Sequence, residues 1–583
     1  MDLPEQSRYG KVSENPCRVW GEITAMQQDK PEITPSAARE RSFAAAMGRW
    51  LDITILSLGR EMRLSYLPPL MVYAAAGISG LTSIVGTFYV KEQLGLTAEF
   101  LAALGFWMML PWALKMPLGH LVDLVWRWKS LLVYLGAGLI MLSIMIMIGL
   151  LGHLDAMRAF ASVEAWYVTA SLLAPVGYVL QDVVADAMTV EAVPRVDANG
   201  QALPLDDRKS MHVTMQTLGR VAIISGGVLV SLMNVFLLQG VGDLPDEGKA
   251  AAYLFVYELA LIIPAVSVCG VLFATWLRWR DMARLAAKGL SREESQALLG
   301  SQVIPPPVNW WILGGGLAFT LVSLSVGLSR IPGAEEIIFF VSIAIVIFLM
   351  WRLTGELEPQ ARNVLVGTAV LIFIFRAVPG PGAGATWWMI DELGFDQQFL
   401  AALSLIGATL TLAGMFIFRR FMAERSIAYI VGSLTIAGTL LSLPIIGMYF
   451  GLHEWTASIT GGVVDARFIA VIDTALESPL GQIAMIPMLA WIANSAPERL
   501  KATFFAVMAS FTNLALSASQ LTTKHMNQIF TVTREVKDPV TGQITVPADY
   551  SELGALLITV TLIGLVLPLL AIIVIKRTRF RNA

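Results

Sequence analysis

Apolar residues run through this chain in long blocks, with the polar residues gathered between them. A helix needs roughly 20 apolar residues to cross about 30 Å of hydrocarbon. Blocks of that length predict fourteen spans, the first six at 67–90, 98–125, 130–152, 164–192, 212–240 and 251–277. Two more follow at 309–330 and 335–353. The last six are 362–390, 397–418, 427–450, 463–494, 500–523 and 553–576. Residues 1–42 are polar, with Asp2, Glu5, Arg8 and Lys11, and lack the early apolar run of a signal peptide. Residues 43–66 set Trp50, Leu51, Ile53, Ile55, Leu56 and Leu58 among charges, which predicts an amphipathic helix lying on the membrane surface.

Composition points the same way. Hydrophobic residues make up 56% and charged ones 15%, against about 25% charged in soluble domains. Such a chain needs lipid as solvent. A net charge of -3 gives no field for nucleic acid. Cys17 and Cys269 lie in unlike surroundings, and the five His lack ligand spacing, so no disulfide, metal or cofactor is expected.

The basic residues orient the spans. With the N-terminus in the cytoplasm, roughly 30 of the 41 Lys and Arg fall inside, among them Arg127, Lys129, Arg195, Arg208, Arg278, Arg280, Arg419, Arg420, Arg499 and Arg577. Both termini are then cytoplasmic. The outer loop 524–552 alternates Thr and Val around Pro539–Gly542 and predicts a small external hairpin.

The chain also repeats itself. EQLGLTAEFLAAL (Glu92–Leu104) returns as DELGFDQQFLAAL (Asp391–Leu403), 299 residues later, each copy joining the first helix of a set of six to the second. The organisation this implies is a tail and surface helix at 1–66, a six-helix bundle at 67–277, a linker at 278–308, an extra helical hairpin at 309–355 and a second six-helix bundle at 356–583. Parallel six-helix repeats are a transporter pattern, with the solute near the midplane between them.

Several segments have a family character. LPWALKMPLGHLVDL carries Pro111, Trp112, Lys115, Gly119 and Asp123; QDVVADAMTVE carries Asp182, Asp186 and Glu191. With AVPGPGAGATWWMIDELGFDQQFL and APERLKATFFAVMASFTNLA, these resemble the folate–biopterin transporter family of the major facilitator superfamily. The resemblance covers most of the chain outside 1–66 and 278–355. It departs at Met116–Pro117, where the proline is displaced by one residue, in the reduced basic run at Arg127 and Lys129, and in the two extra helices. It implies an all-α major facilitator fold and carriage of a folate- or pterin-like solute. The motif around Asp182 is shared with muropeptide permeases, so a peptide–sugar solute is the alternative.

Charges inside the spans cost about 2.5–3.5 kcal/mol each at a helix centre, so those present carry information. Lys115, Asp182, Asp186 and Arg220 fall at similar depth in one bundle, with the two Asp four apart on one helix face. They can form a proton relay or a static ion-pair lock. Asp473 and Glu477 are also four apart and suit coupling or an outer vestibule. Asp123, with Arg127, resembles the superfamily's gate motif; a solvated helix end is the plainer reading.

Arg376 falls near the middle of its span, just before AVPGPGAGA. Pro379 and Pro381 remove donors, and Gly380, Gly382 and Gly384 loosen the helix. At the same 299-residue offset stand Gly77 and Gly80. Paired interruptions mark a binding site, and freed backbone groups beside a guanidinium suit an anion. Arg376 could instead pair with Asp473 or Glu477. Trp387 and Trp388 suit an outer interfacial belt better than a stacking platform.

No H-E-x-x-H or G-x-S-x-G occurs, and GDLPDEGKA lacks phosphate-loop spacing. The expectation is therefore no enzyme and no ATP-driven pump. It is a multi-pass inner-membrane secondary transporter taking an anionic small molecule, coupled to protons; a non-transporting receptor or assembly factor is the rival.

Overall fold

The computed structural model describes residues 57–60, 62–193, 203–299, 307–329, 331–355, 358–418, 421–422, 425–481, 483, 501–537 and 543–578. The expected tail and most of the surface helix lie outside them, as do the far half of the 463–494 span, the turn at 539–542, and Arg195, Arg419, Arg420 and Arg499.

The described chain is helical apart from one small hairpin. Among the described residues, eleven helices are long and apolar enough to cross a membrane, from Leu64–Gln93 to Leu553–Arg577. Each falls on one of the expected blocks. The other three blocks are helical too, but interrupted or partly outside the described residues: Pro359–Arg376 with Ala383–Asp391, Ala466–Glu477, and Lys501–Ile529. The last runs further than expected, so the loop after it is shorter.

Local sequence explains the interruptions. Pro111 is followed by a break at Leu114, whose N–H returns to the Pro111 carbonyl at 3.0 Å, and a new helix starts at Lys115. Ser442 separates Ile427–Leu441 from Leu443–Tyr449, where Pro444 opens the second helix. Proline is tolerated there because first-turn N–H groups have no intrahelical partner.

The repeated motif has a packing reason. Ala401, with Leu400 and Leu101, joins the core built on Phe88, Leu94, Tyr253 and Tyr257. Ala98, Leu101, Phe399 and Leu400 also join the cluster around Trp387, Phe395 and Leu553. The two copies bury their apolar faces in shared cores.

The extra hairpin, Trp310–Leu328 and Ala334–Thr354, packs on Lys115–Leu124 and Lys501–Ile529. Gly315 and Gly316 allow close approach to Leu349 and Pro117. Polar contacts pin its turn: Lys524 Nζ lies 3.4 Å from Glu335 and 3.0 Å from Glu336, and Trp107 Nε1 donates to Glu335 at 3.3 Å. Between Lys501–Ile529 and Leu553–Arg577, Val536–Lys537 pairs antiparallel with Ile544–Val546, giving the expected small hairpin.

Candidate functional site

Lys115 starts its helix beside the Val163–Ala192 helix, which presents Asp182 and Asp186 on one face. Lys115 Nζ lies 2.5 Å from Asp182 Oδ2 and 2.8 Å from Asp186 Oδ2. The Tyr73 hydroxyl donates to Asp186 Oδ1 at 2.5 Å. Three expected residues therefore meet, and a fourth joins them. Tyr73 was not singled out; its signal was a hydroxyl inside an apolar span, which needs a partner when buried. One lysine faces two carboxylates, so the cluster as ionised carries an excess negative charge. Arg220 lies within electrostatic reach of Asp182 and Tyr73 but bonds to neither.

Arg376 ends the Pro359–Arg376 helix, and the chain restarts as a helix at Ala383. Between them the backbone is opened by Pro379, Pro381 and Gly382, the last at φ 78° and ψ -169°. The groups freed here were expected to face solute. Lys501–Ile529 takes them instead. Ser519 Oγ donates to the Val378 carbonyl at 2.7 Å, the Gly380 N–H donates to Thr523 Oγ1 at 3.0 Å, and Asn527 Nδ2 donates to the Pro381 carbonyl at 3.3 Å. Ser519, Thr523 and Asn527 are spaced by four, so one helix face supplies all three. Gly380 thus serves through a bond to Thr523, and Gly382 through a backbone angle that only glycine adopts readily. Gly77 packs on Ile223 and Gly226 of Leu205–Leu237, while Gly80 sits in the short Ser79–Thr82 3-10 turn with only Val230 Cγ2 near, at 3.8 Å.

Arg376 is left with its charge. Its Nη1 is buried and has no hydrogen-bond partner among the described residues. The described charge pressing on it is Arg220, a second cation. No ion pair joins Arg376 to Asp473 or Glu477. Asp473 is buried with Oδ1 unpartnered, and its charged neighbour is Glu477.

Beyond the break lies a cavity of about 330 Å³, lined by Thr87, Leu101 and Ala102 on one side and by Gly382, Thr386, Trp387 and Gln520 on the other. Trp387 and Trp388 are 2% and 5% exposed, inside a core, and so are not a lipid-facing belt. What moved them inward is the cover above. Lys91 Nζ meets Asp391 Oδ1 at 2.5 Å, and the Tyr550 hydroxyl donates to Asp391 Oδ2 at 2.5 Å. Arg534 donates to the Lys91 carbonyl and lies over the Trp387 ring, 5.3 Å from its centre. Gln397 donates to the Tyr253 hydroxyl at 2.8 Å, tying the second motif copy to the Asp246–Ala260 helix.

At the other end of the helices, Asp123 is half-buried and its titratable neighbour is His120; Arg127 is exposed and bonds to neither. His120 Nε2 accepts the Asn309 N–H at 2.8 Å. Lys129, counted with the solvated loop charges, is buried instead. It pairs with Glu191 at 2.6 Å and lies 3.9 Å from the Trp126 ring centre.

Residues 327–581 match the model of the BT1 family. A folate-biopterin transporter of Synechocystis sp. is 22% identical over 477 residues, covering 81% of this chain and 76% of that protein. Among solved structures, a POT family transporter in complex with 5-aminolevulinic acid superposes with a TM-score of 0.56 at 13% identity, covering 88% of this chain and 96% of that one. A peptide transporter POT in complex with sulfate gives 0.55 at 16% identity, covering 89% and 94%. At such identities the structural likeness speaks for the fold, which is that of multi-pass transporters. The sequence matches point further than the fold: over residues 327–581 and along most of its length the chain is similar to folate–biopterin transporters.

Proposed function

We propose that this chain is a proton-coupled secondary transporter of an anionic folate- or pterin-like solute, working by alternating access between two six-helix halves. The reading includes fourteen spans, cytoplasmic termini, the hairpin outside and the inner membrane as location. One observation carries it. Arg376, from the 356–583 half, is half-buried with its Nη1 buried and without an acceptor among the described residues, and it lies within electrostatic reach of Arg220, from the 67–277 half. Two like charges at one place are unfavourable until an anion enters between them, and Arg holds a carboxylate with two bonds.

Coupling follows from the position of Arg220, which also faces the Lys115, Asp182, Asp186 and Tyr73 cluster. An anion that draws Arg220 towards Arg376 withdraws positive potential from the cluster. Its excess negative charge then favours a proton on one carboxylate. Solute and proton bind together, and the ion pairs and the Tyr73 hydrogen bond that fasten three helices loosen together. Asp123 and Arg127 would close the cytoplasmic end in another state of the cycle. Asp473 and Glu477 form a second carboxylate pair whose part is secondary.

The test is uptake of labelled folate into proteoliposomes under an imposed proton gradient, with an anhydromuropeptide alongside. Saturable, gradient-driven folate uptake, abolished in Arg376→Ala, is the expected result. Asp186→Asn should fold normally and flatten the pH dependence of uptake; an unchanged profile leaves the cluster a static lock. Muropeptide uptake in place of folate moves the solute class. Uptake of neither removes the transport reading.

A further inference from the structure

Arg534 lies two residues before the first strand of the hairpin, far along the chain from either break. It is 3% exposed. One nitrogen, Nη1, donates to the Lys91 carbonyl, and the guanidinium rests over Trp387. Among the described residues, Nε and Nη2 have no acceptor. These two are the donors along one edge of the planar group, and that edge grips a carboxylate with two parallel bonds. Buried charged donors without acceptors are rare, because each forfeits its water. The nearby carboxylate does not fill the place: both oxygens of Asp391 are already bonded, one to Lys91 and one to Tyr550. Trp387, beneath the guanidinium, also lines the cavity of about 330 Å³.

We propose that Arg534 is a carboxylate-binding residue at the hairpin end, taking an organic carboxylate on Nε and Nη2 while Nη1 keeps the Lys91 carbonyl. This rests on the reading of the chain as a carrier of an anionic solute and extends it with a second anchoring point besides Arg376. It also gives the hairpin a task. The donors are shielded from water in this arrangement beside Trp387, so a carboxylate that satisfies them stabilises it. A solute with an acidic tail does so; its uncharged analogue does not.

The experiment uses the full chain in nanodiscs. The probes are p-aminobenzoylglutamate and its uncharged diamide, read as ligand-dependent shifts in thermal unfolding. The expected result is a rise with the diacid and none with the diamide. Part of that rise should survive in Arg376→Gln and vanish when Arg534→Gln is added. Alone, Arg534→Gln should weaken the diacid about ten- to a hundredfold, the worth of hydrogen bonds to a charged group. Arg534→Lys keeps a charge and a donor for Lys91 but loses the fork, so it should weaken the diacid too, and it guards against misfolding of the Gln variant. If both Arg534 variants bind the diacid like the parent, Arg534 is only a pin for the Lys91 loop and the proposal falls. Loss in Arg376→Gln alone would then keep the central site by itself. Loss in the Arg534 variants alone would keep the hairpin site and remove the central one. An equal response to diacid and diamide, or none to the diacid in the parent, overturns the proposal outright.

Discussion

Two helices of this transporter are interrupted at places related by the 299-residue spacing of its repeat, and they are held open by different means. Ser79–Thr82 corresponds to Val378–Pro381. In the first interruption the chain only tightens into a 3-10 turn and resumes at Ser83, at φ -64°. Ser79 Oγ donates to the Ala76 carbonyl and Ser83 Oγ to the Gly80 carbonyl, both at 2.7 Å, and one outside bond, from Asn234 Nδ2 to the Leu81 carbonyl at 3.1 Å, completes the turn. In the second the chain leaves helical geometry, and the residue matching Ser83 is Gly382, at φ 78°. Its backbone is bonded by a different helix through Ser519, Thr523 and Asn527. The repeat therefore set the place of each interruption but not its depth. The deep one is where Arg376 Nη1 has no partner among the described residues, because a helix end held from outside can present a side chain without following the helix behind it.

The largest effect should come from the backbone itself. Gly382→Ala forces an alanine into a region that essentially only glycine occupies, at about 1–3 kcal/mol. Its Cβ would also lie 2.7 Å from Asn527 Nδ2, so a total near ~3 kcal/mol or more is expected. Gly80→Ala, where the added Cβ meets only Val230 Cγ2 at an ordinary 3.8 Å, should be neutral or stabilising by about 0.4–1 kcal/mol. Thermal unfolding of the two purified variants reads the contrast. Shifts of equal sign would mean that the two interruptions are built alike.

Next is the outside support. Thr523 is 3% exposed, and its hydroxyl accepts the Gly380 N–H while donating to the Ser519 carbonyl at 2.8 Å. Thr523→Val keeps the shape and strands the N–H, at about 1–3 kcal/mol. The loss should appear as lower unfolding temperature together with faster hydrogen exchange at Gly380. Exchange unchanged at Gly380 would mean that the bond to Thr523 does not hold the second interruption.

These differences also mark how far the sequence could be read. The apolar blocks located the helices because period and length are local properties. The copies at Glu92–Leu104 and Asp391–Leu403 gave the internal symmetry because it is written in identical residues. Asp182 and Asp186 met Lys115 because four-residue spacing fixes one face of a helix. What failed were judgements that needed a partner's identity. Ser519, Thr523 and Asn527 read as ordinary residues of an apolar helix, since the carbonyls and N–H that they serve lie some 140 residues away. Trp387 and Trp388 suited a lipid interface because nothing nearby in sequence announced that Arg534 and Tyr550 would cover that end. Lys129 was counted with the loop charges because its pairing with Glu191 spans two helices.

The smallest expected effect is at the counterpart of Gly382. Ser83 stands in ordinary helical geometry, and its hydroxyl bonds the carbonyl three residues back in an exposed setting. Removing it leaves that carbonyl open to other partners, so Ser83→Ala should change stability by no more than about 0.5 kcal/mol. The same alanine thus stands at matched positions of the two repeats, cheap in one and costly in the other. A loss at Ser83 as large as that at Gly382 would make the first interruption as dependent on its side chains as the second. The reason offered for Arg376 lying open, a helix end held from outside by three side chains where its counterpart has the single bond from Asn234 to the Leu81 carbonyl, would then no longer hold.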